Sequence, residues 1–209
     1  MVAILCPYCH KHSHVTVRWG EVHSNGERTR VAVSCDFCSR LSIGEGSGGN
    51  PSPRGDEIEL HASSRQIEKA THIQWLPTAA DAPEVVDVPE AIGRAAREAY
   101  SSASVGNHMA SILMARTVIE ATAKAQGISN GDLSKKINTM KDNQLIRRAV
   151  ADQAHEVRYA GNDMAHGDID VVPDAIDSEE ILALMASVLT EVFQDPARLE
   201  RIRAKRESR

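Results

Sequence analysis

Cys6-Pro-Tyr-Cys9 and Cys35-Asp-Phe-Cys38 are two C-x-x-C pairs with 25 residues between them, and this spacing organises the N-terminal part of the chain. Two residues between cysteines let one tight turn present both sulfurs to a single ion, and four thiolates suit tetrahedral zinc. The separation exceeds the roughly 15–20 residues of the commonest pattern, but the extra length fits a hairpin. A stretch of this size buries too little apolar surface to fold on packing alone, so a metal cross-link supplies what a core cannot. Four thiolates leave no open coordination position. Zn2+ on Cys6, Cys9, Cys35 and Cys38, one ion per chain, is therefore expected to be structural. His10, His12 and His14 alternate along the chain and offer rival ligands, although the plainer reading is a polar, exposed strand face.

Around these pairs, residues 1–43 alternate as strands do. Val15, Val17 and Trp19 share one face, and Val31 and Val33 answer them across Ser24-Asn25-Gly26-Glu27. An Asn-Gly pair between β-rich runs signals a hairpin, because both residues tolerate positive φ. Residues 1–43 thus read as a small β zinc ribbon. Tyr8, Arg18, Trp19, Arg28, Arg30 and Arg40 offer it a surface of basic and stacking groups suited to nucleic acid. Ordinary solvated strand surface is the commoner meaning of such a pattern.

Further along, GEGSGGNPSPRGDE at residues 44–57 has too little apolar content to pack and reads as connecting chain. Residues 44–76 as a whole are expected to be a linker, with an extra strand at Ile73–Leu76. From Pro89 the apolar period becomes helical. Helices are expected over Pro89–Ser102, with proline in the first turn, and over Gly106–Gln126, ended by Gly127. A short helix presents Leu133, Ile137 and Met140. Another starts near Asn143 and repeats Ile146, Val150, Ala154, Val157 and Gly161. The last runs from Asp177 to Phe193, with Asp177 and Glu180 in capping-box spacing. The fold class is α+β: a ribbon, then an all-α bundle over residues 77–197, then, after Pro196, a basic extension over 198–209 that reads either as helical or as a frayed tail.

Charge narrows the function classes. Residues 77–193 have ten basic and eighteen acidic groups, whereas residues 1–43 have five basic and three acidic, and residues 197–209 six and two. The acidic middle would repel a phosphate backbone, so broad nonspecific nucleic-acid binding there is disfavoured. No apolar run approaches the ~18 residues of a membrane span; the longest, Ile181–Leu189, covers nine. The opening MVAILCPYC is too short in its apolar part for a secretory leader. A cytoplasmic, membrane-free protein with reduced thiols is the expectation.

Outside the cysteines, Arg158-Tyr-Ala-Gly-Asn-Asp-Met-Ala-His166-Gly is the most unusual stretch. On a helix, Arg158, Asn162 and His166 fall on one face. Arg158 and His166 then lie about 12 Å apart along the axis, beyond direct contact. Gly161 is costly in a helix interior by ~1 kcal/mol, which suggests that another backbone approaches there. Arg116 and Glu120 are spaced for an intrahelical pair. Gly44-Glu-Gly-Ser-Gly-Gly lacks the Lys and Ser or Thr of a phosphate-binding loop.

Val88-Pro-Glu, Ala99-Tyr100, Ala115-Arg116-Thr-Val-Ile-Glu120, Leu133-x-x-x-Ile137 and Arg158-x-x-Gly-Asn162-x-x-Ala-His166-Gly occur in an order that resembles the domain-of-unknown-function 4145 family. That family is grouped with the HEPN-like helical domains (higher eukaryotes and prokaryotes nucleotide-binding), and the resemblance spans about residues 77–197. It implies a helical bundle that forms a homodimer, in a setting of prokaryotic or phage defence. It further implies that His166 corresponds to the histidine of metal-independent HEPN ribonucleases, which pair it with an upstream arginine across four to six intervening residues. Here seven residues separate Arg158 from His166, and Gly161 stands where a closer arginine would. Two readings follow. One is a noncatalytic recognition or assembly module for nucleic acid or a protein partner. The alternative is a ribonuclease using Arg158, Asn162 and His166, with histidine moving protons and arginine stabilising phosphate charge.

Overall fold

The structure is a computed structural model, and it describes residues 2–165, 170 and 172–208. The chain divides into two compact units, Met1–Ala80 and Asp81–Arg209. The first is a five-stranded antiparallel meander in the order β1-β2-β3-β4-β5, made of Ala3–Leu5, His12–His23, Arg28–Cys35, Leu41–Ser47 and His72–Leu76. Helix α1, Leu60–Lys69, lies between β4 and β5 in sequence and packs on β2, β3 and β4. Ile67 from α1 joins Ile4, Val15, Val31 and Val33 in a small core.

The expected hairpin forms. Ser24, Asn25 and Gly26 all take positive φ, and His23 pairs with Arg28 beyond them. One expectation in β2 fails. Val17 pairs with Val33 while Trp19 pairs with Ala32, so Arg18 is an extra residue in a β-bulge. The bulge reverses the alternation: Gly20 and Val22 take the inner positions and Trp19 turns outward, 43% exposed.

The glycine-rich run expected as connecting chain instead enters the sheet. Gly44 and Gly46 pair with Trp75 and Ile73 of β5. A Cβ at Gly44 would lie 2.5 Å from the Trp75 ring, and one at Gly46 would lie 2.6 Å from Ile67 Cδ1. The low apolar content that argued for a loop is thus the room that larger neighbours occupy. Residues 44–76 hold the end of β4, all of α1 and, as expected, β5.

The second unit is helical: α2 Glu90–Ser104, α3 His108–Ala125, α4 Leu133–Asp142, α5 Arg148–Ala165, α6 Ala175–Leu189 and α7 Asp195–Glu207. Helix α3 packs against α2, α5 and α6, and its Ala115, Val118, Ile119 and Ala123 are fully buried. The small side chains of Ala115 and Ala123 let helix axes approach closely, and Val118 and Ile119 fill the core beside them. Ile137, Met140, Ile146, Val150, Ala154 and Val157 are buried as their period requires. Helix α5 begins at Arg148 rather than near Asn143, because Gln144 adopts a left-handed backbone.

Asp177 does not cap the last expected helix. Asp174 is the N-cap, accepting from the N–H groups of Ile176 and Asp177, and Asp177 closes the capping box from the third position. Pro196 does not end the helical path either. A π-helical turn, Thr190–Gln194, precedes it, and Asp195 N–H reaches back five residues to the Thr190 carbonyl. Proline lacks the N–H for a normal turn and crowds the carbonyl four residues earlier; the wider turn absorbs both. The basic extension accordingly forms most of α7, tied to the segment before α2 by Arg201 and Asp87 at 2.7 Å. No described helix is long and apolar enough to cross a membrane.

Candidate metal centre and the polar network of the helical unit

Each cysteine pair sits on a tight knuckle, and the two knuckles share one geometry. Cys6 N–H donates to the Lys11 carbonyl at 3.0 Å, and His10 N–H donates to the Cys6 carbonyl at 2.9 Å. Cys35 N–H donates to the Arg40 carbonyl at 3.0 Å, and Ser39 N–H donates to the Cys35 carbonyl at 2.8 Å. His10 and Ser39, four residues after the first cysteine of each pair, both have left-handed φ near 60°, at 53° and 61°. The β2–β3 hairpin returns the chain so that the second knuckle faces the first.

The four sulfurs lie within 4.8 Å of one another. Cys6 and Cys38 are 3.7 Å apart, and Cys9 and Cys35 are 4.0 Å apart. A disulfide needs about 2.05 Å. A tetrahedral ion bound by thiolates at about 2.3 Å places its ligands roughly 3.8 Å apart. These spacings fit a metal ion and no disulfide, so Cys6, Cys9, Cys35 and Cys38 could hold a metal. Among the described residues the cluster contains no histidine, and His10 instead serves the turn of its knuckle.

The thiols are not equivalent. The Cys38 N–H stabilises the Cys35 thiolate and pulls that group down to about 6. Burial among the other sulfurs pushes Cys9 up to about 11, despite the N–H it receives from Lys11. Four thiolates at neutral pH therefore call for a cation among them.

The knuckles also exchange side chains. Lys11 Nζ stands 3.7 Å from the centre of the Phe37 ring, and the Arg40 guanidinium stands 5.4 Å from that of Tyr8. In each case the residue five after a knuckle's first cysteine covers the aromatic two after the other's. Tyr8 and Arg40 are among the basic and stacking residues named from sequence, whereas Lys11 and Phe37 are not. The repeated aromatic and basic offsets of the two C-x-x-C motifs were the available signal.

In the helical unit, Asn162 Oδ1 accepts from Arg116 Nε at 2.9 Å. Arg116 lies 3.8 Å from Glu120, confirming the spacing-based pair, and Glu120 also holds Lys136 at 2.8 Å and Lys124 at 3.0 Å. The two lysines, chiefly Lys136, hold the Glu120 carboxyl down to about 2. The close neighbour inferred at Gly161 is a side chain rather than a backbone, because a Cβ there would meet Arg116 Cβ and Cδ at 2.7 Å.

Arg158 takes no part in this network. Its guanidinium lies over the Tyr159 ring at 3.9 Å, and its Nε approaches His155 Nδ1 at 3.4 Å. Burial and the Arg158 charge lower the His155 pKa, in that order. The structure therefore separates Arg158 from Asn162 by contact, and His166 lies outside the described residues. A family model described as a domain of unknown function, DUF4145, matches residues 97–205. No curated protein and no solved structure matches the chain.

Proposed function

The chain belongs to the DUF4145 family of domains of unknown function, and from that premise we propose that it is a noncatalytic recognition or assembly module. In this reading the first unit is a ribbon built on one structural zinc ion. The second is a HEPN-like bundle that acts as a cytoplasmic homodimer, in the setting of prokaryotic or phage defence. Zinc is the chemical choice for four thiolates at tetrahedral spacing, and four protein ligands leave it no position for substrate.

The observation that carries the noncatalytic reading is the contact between Arg116 and Asn162. Of the three residues aligned with the ribonuclease pattern, Asn162 is engaged by a structural ion-pair network that joins α3, α4 and α5. Its amide oxygen holds a guanidinium in place and is not free for substrate. Arg116 in turn fills the space left by Gly161, where a motif arginine would stand. One observation favours the alternative. Among the described residues Arg158 meets no carboxylate, so its charge remains free for a phosphate.

Incubating the full chain with structured and unstructured RNAs in the presence of a chelator separates the two readings. A recognition module leaves the RNAs intact, and His166→Ala changes nothing. Cleavage that survives the chelator and disappears in both His166→Ala and Arg158→Ala establishes the ribonuclease instead. A solution mass of one chain would remove the dimer from the proposal.

A further inference from the structure

The bulge in β2 rearranges the outer face of the ribbon, the face opposite α1. Through the strand registers, Trp19, Ala32, Ile43 and Leu76 form one cross-strand row. The adjacent row is Glu21, Arg30, Glu45 and Gln74. There the charges are matched: Arg30 binds Glu21 at 2.9 Å and Glu45 at 3.1 Å, and Arg28 reaches Glu45 at 3.3 Å. Arg28 and Arg30 are thereby removed from any basic surface.

Three other cations have a different environment. Arg18, the extra residue of the bulge, bonds the Ser34 hydroxyl at 2.8 Å. Lys11 and Arg40 stand over Phe37 and Tyr8. Among the described residues none of these three meets a carboxylate. Lys11 and Arg40 stand on exposed rings, Phe37 at 62% and Tyr8 at 37%, and Arg18 immediately precedes the exposed Trp19 in the bulge. Ser34 and Leu41, paired across β3 and β4, adjoin Cys35 and Arg40 and so connect the Trp19 row to the knuckles.

We propose that this surface binds single-stranded nucleic acid, with Trp19, Phe37 and Tyr8 as stacking positions and Arg18, Lys11 and Arg40 as phosphate contacts. The inference rests on the recognition reading and specifies its partner. A nucleotide is a flat apolar ring joined to an anion, and the surface repeats the complementary pair three times. Duplex nucleic acid keeps its base faces stacked and cannot use the rings. An acidic peptide could meet the cations but would gain little from three separate aromatic faces.

A dication with four thiolates has a net charge of −2, which offsets part of the local positive charge. Stacking therefore contributes more than phosphate attraction, and the salt dependence is shallow. Three phosphate contacts on a single strand correspond to a log–log slope of about −2. Ring removal should weaken binding on the order of tenfold per position.

The test uses the full, zinc-loaded chain and fluorescence anisotropy of labelled oligo-dT and oligo-rU, each about 15 nucleotides long. A duplex and polyglutamate serve as competitors. Trp19→Leu and Phe37→Leu keep apolar volume while removing the ring, and zinc content with circular dichroism verifies the fold. The expected result is binding of one or both single strands, a loss of about tenfold in each variant, and poor competition by duplex. A preference for oligo-rU would assign the 2′-hydroxyl a role; equal binding would assign none. Binding that persists unchanged in the doubly substituted, folded chain overturns this site and leaves the recognition reading intact. Absence of binding to either strand at low salt overturns the nucleic-acid assignment. Displacement by polyglutamate as readily as by single strands points to an acidic protein partner and overturns it too.

Discussion

At the residue scale, Glu120 has the most testable electrostatics. Lys136 is nearly enclosed, with 5% of its side chain exposed, and Glu120 is its carboxylate partner. Lys124 is about half exposed and contributes the smaller, more screened share. The folded Glu120 pKa of about 2 lies below its unfolded value of 4.5. Its stabilisation is therefore complete above pH 4.5 and lost as the pH falls through about 2. After screening, the effect is on the order of 1–2 kcal/mol. Urea unfolding across this window should show the wild type losing that increment. Glu120→Gln should be less stable at neutral pH, because Lys136 loses its partner, and the gap should narrow toward pH 2. A constant gap over the whole range would refute the assignment.

The residue scale also sets what could be read from sequence. The four thiols and the Arg116–Glu120 pair depend on short spacing, and both were legible. The Arg116–Asn162 bond spans 46 residues and the Lys136–Glu120 bond spans 16. Such partners are chosen by tertiary packing, which spacing along one helix does not encode.

At the element scale, the contact of α3 with α5 passes through Gly161. In isolation, replacing glycine by alanine favours a helix by ~1 kcal/mol. Here the added methyl would meet Arg116 Cβ, which is anchored to its own helix, at 2.7 Å. Overpacking of this kind costs about 1–3 kcal/mol. Gly161→Ala is thus expected to lower stability by up to about 2 kcal/mol once its propensity gain is subtracted, as measured by thermal or urea unfolding. A stabilised variant would show that the two helices part easily at this point.

Elements also mark where pattern reading failed. Alternation assigned Val15 and Val17 to the inner face, but it cannot foresee one extra residue, and the bulge at Arg18 turned Trp19 outward. Glycines at 44 and 46 looked like connecting chain because the bulk that fills their space comes from Trp75 and Ile67, some 20 to 30 residues away. Helix periods were legible from Leu133 through Val157. Past Pro196 a helical extension was legible as one of two alternatives, but the π-helical turn that carries the chain through the proline was not.

At the scale of the whole molecule, the two units are held by different physics. The helical unit has an extensive core through α2 to α6. The first unit has a core of five buried residues and a thiol cluster. An ion held by the four cysteines would supply a large share of the folding free energy of the first unit and a negligible share of that of the second. The class of the fold, sheet first and helices after, followed from composition and period. Of the proposed nucleic-acid surface, Tyr8, Arg18, Trp19 and Arg40 were legible, whereas the pairing of Arg28 and Arg30 with Glu21 and Glu45 and the contact of Lys11 with Phe37 were not, because they depend on cross-strand and knuckle packing.

The most direct measurement combines elemental analysis with unfolding of the full chain, with and without a strong chelator. Close to one zinc per chain is expected, with loss of the β signal on chelation. The helical signal and its thermal transition should persist. A chain that contains no metal and yet unfolds with its sheet intact until the helices melt would contradict this expectation.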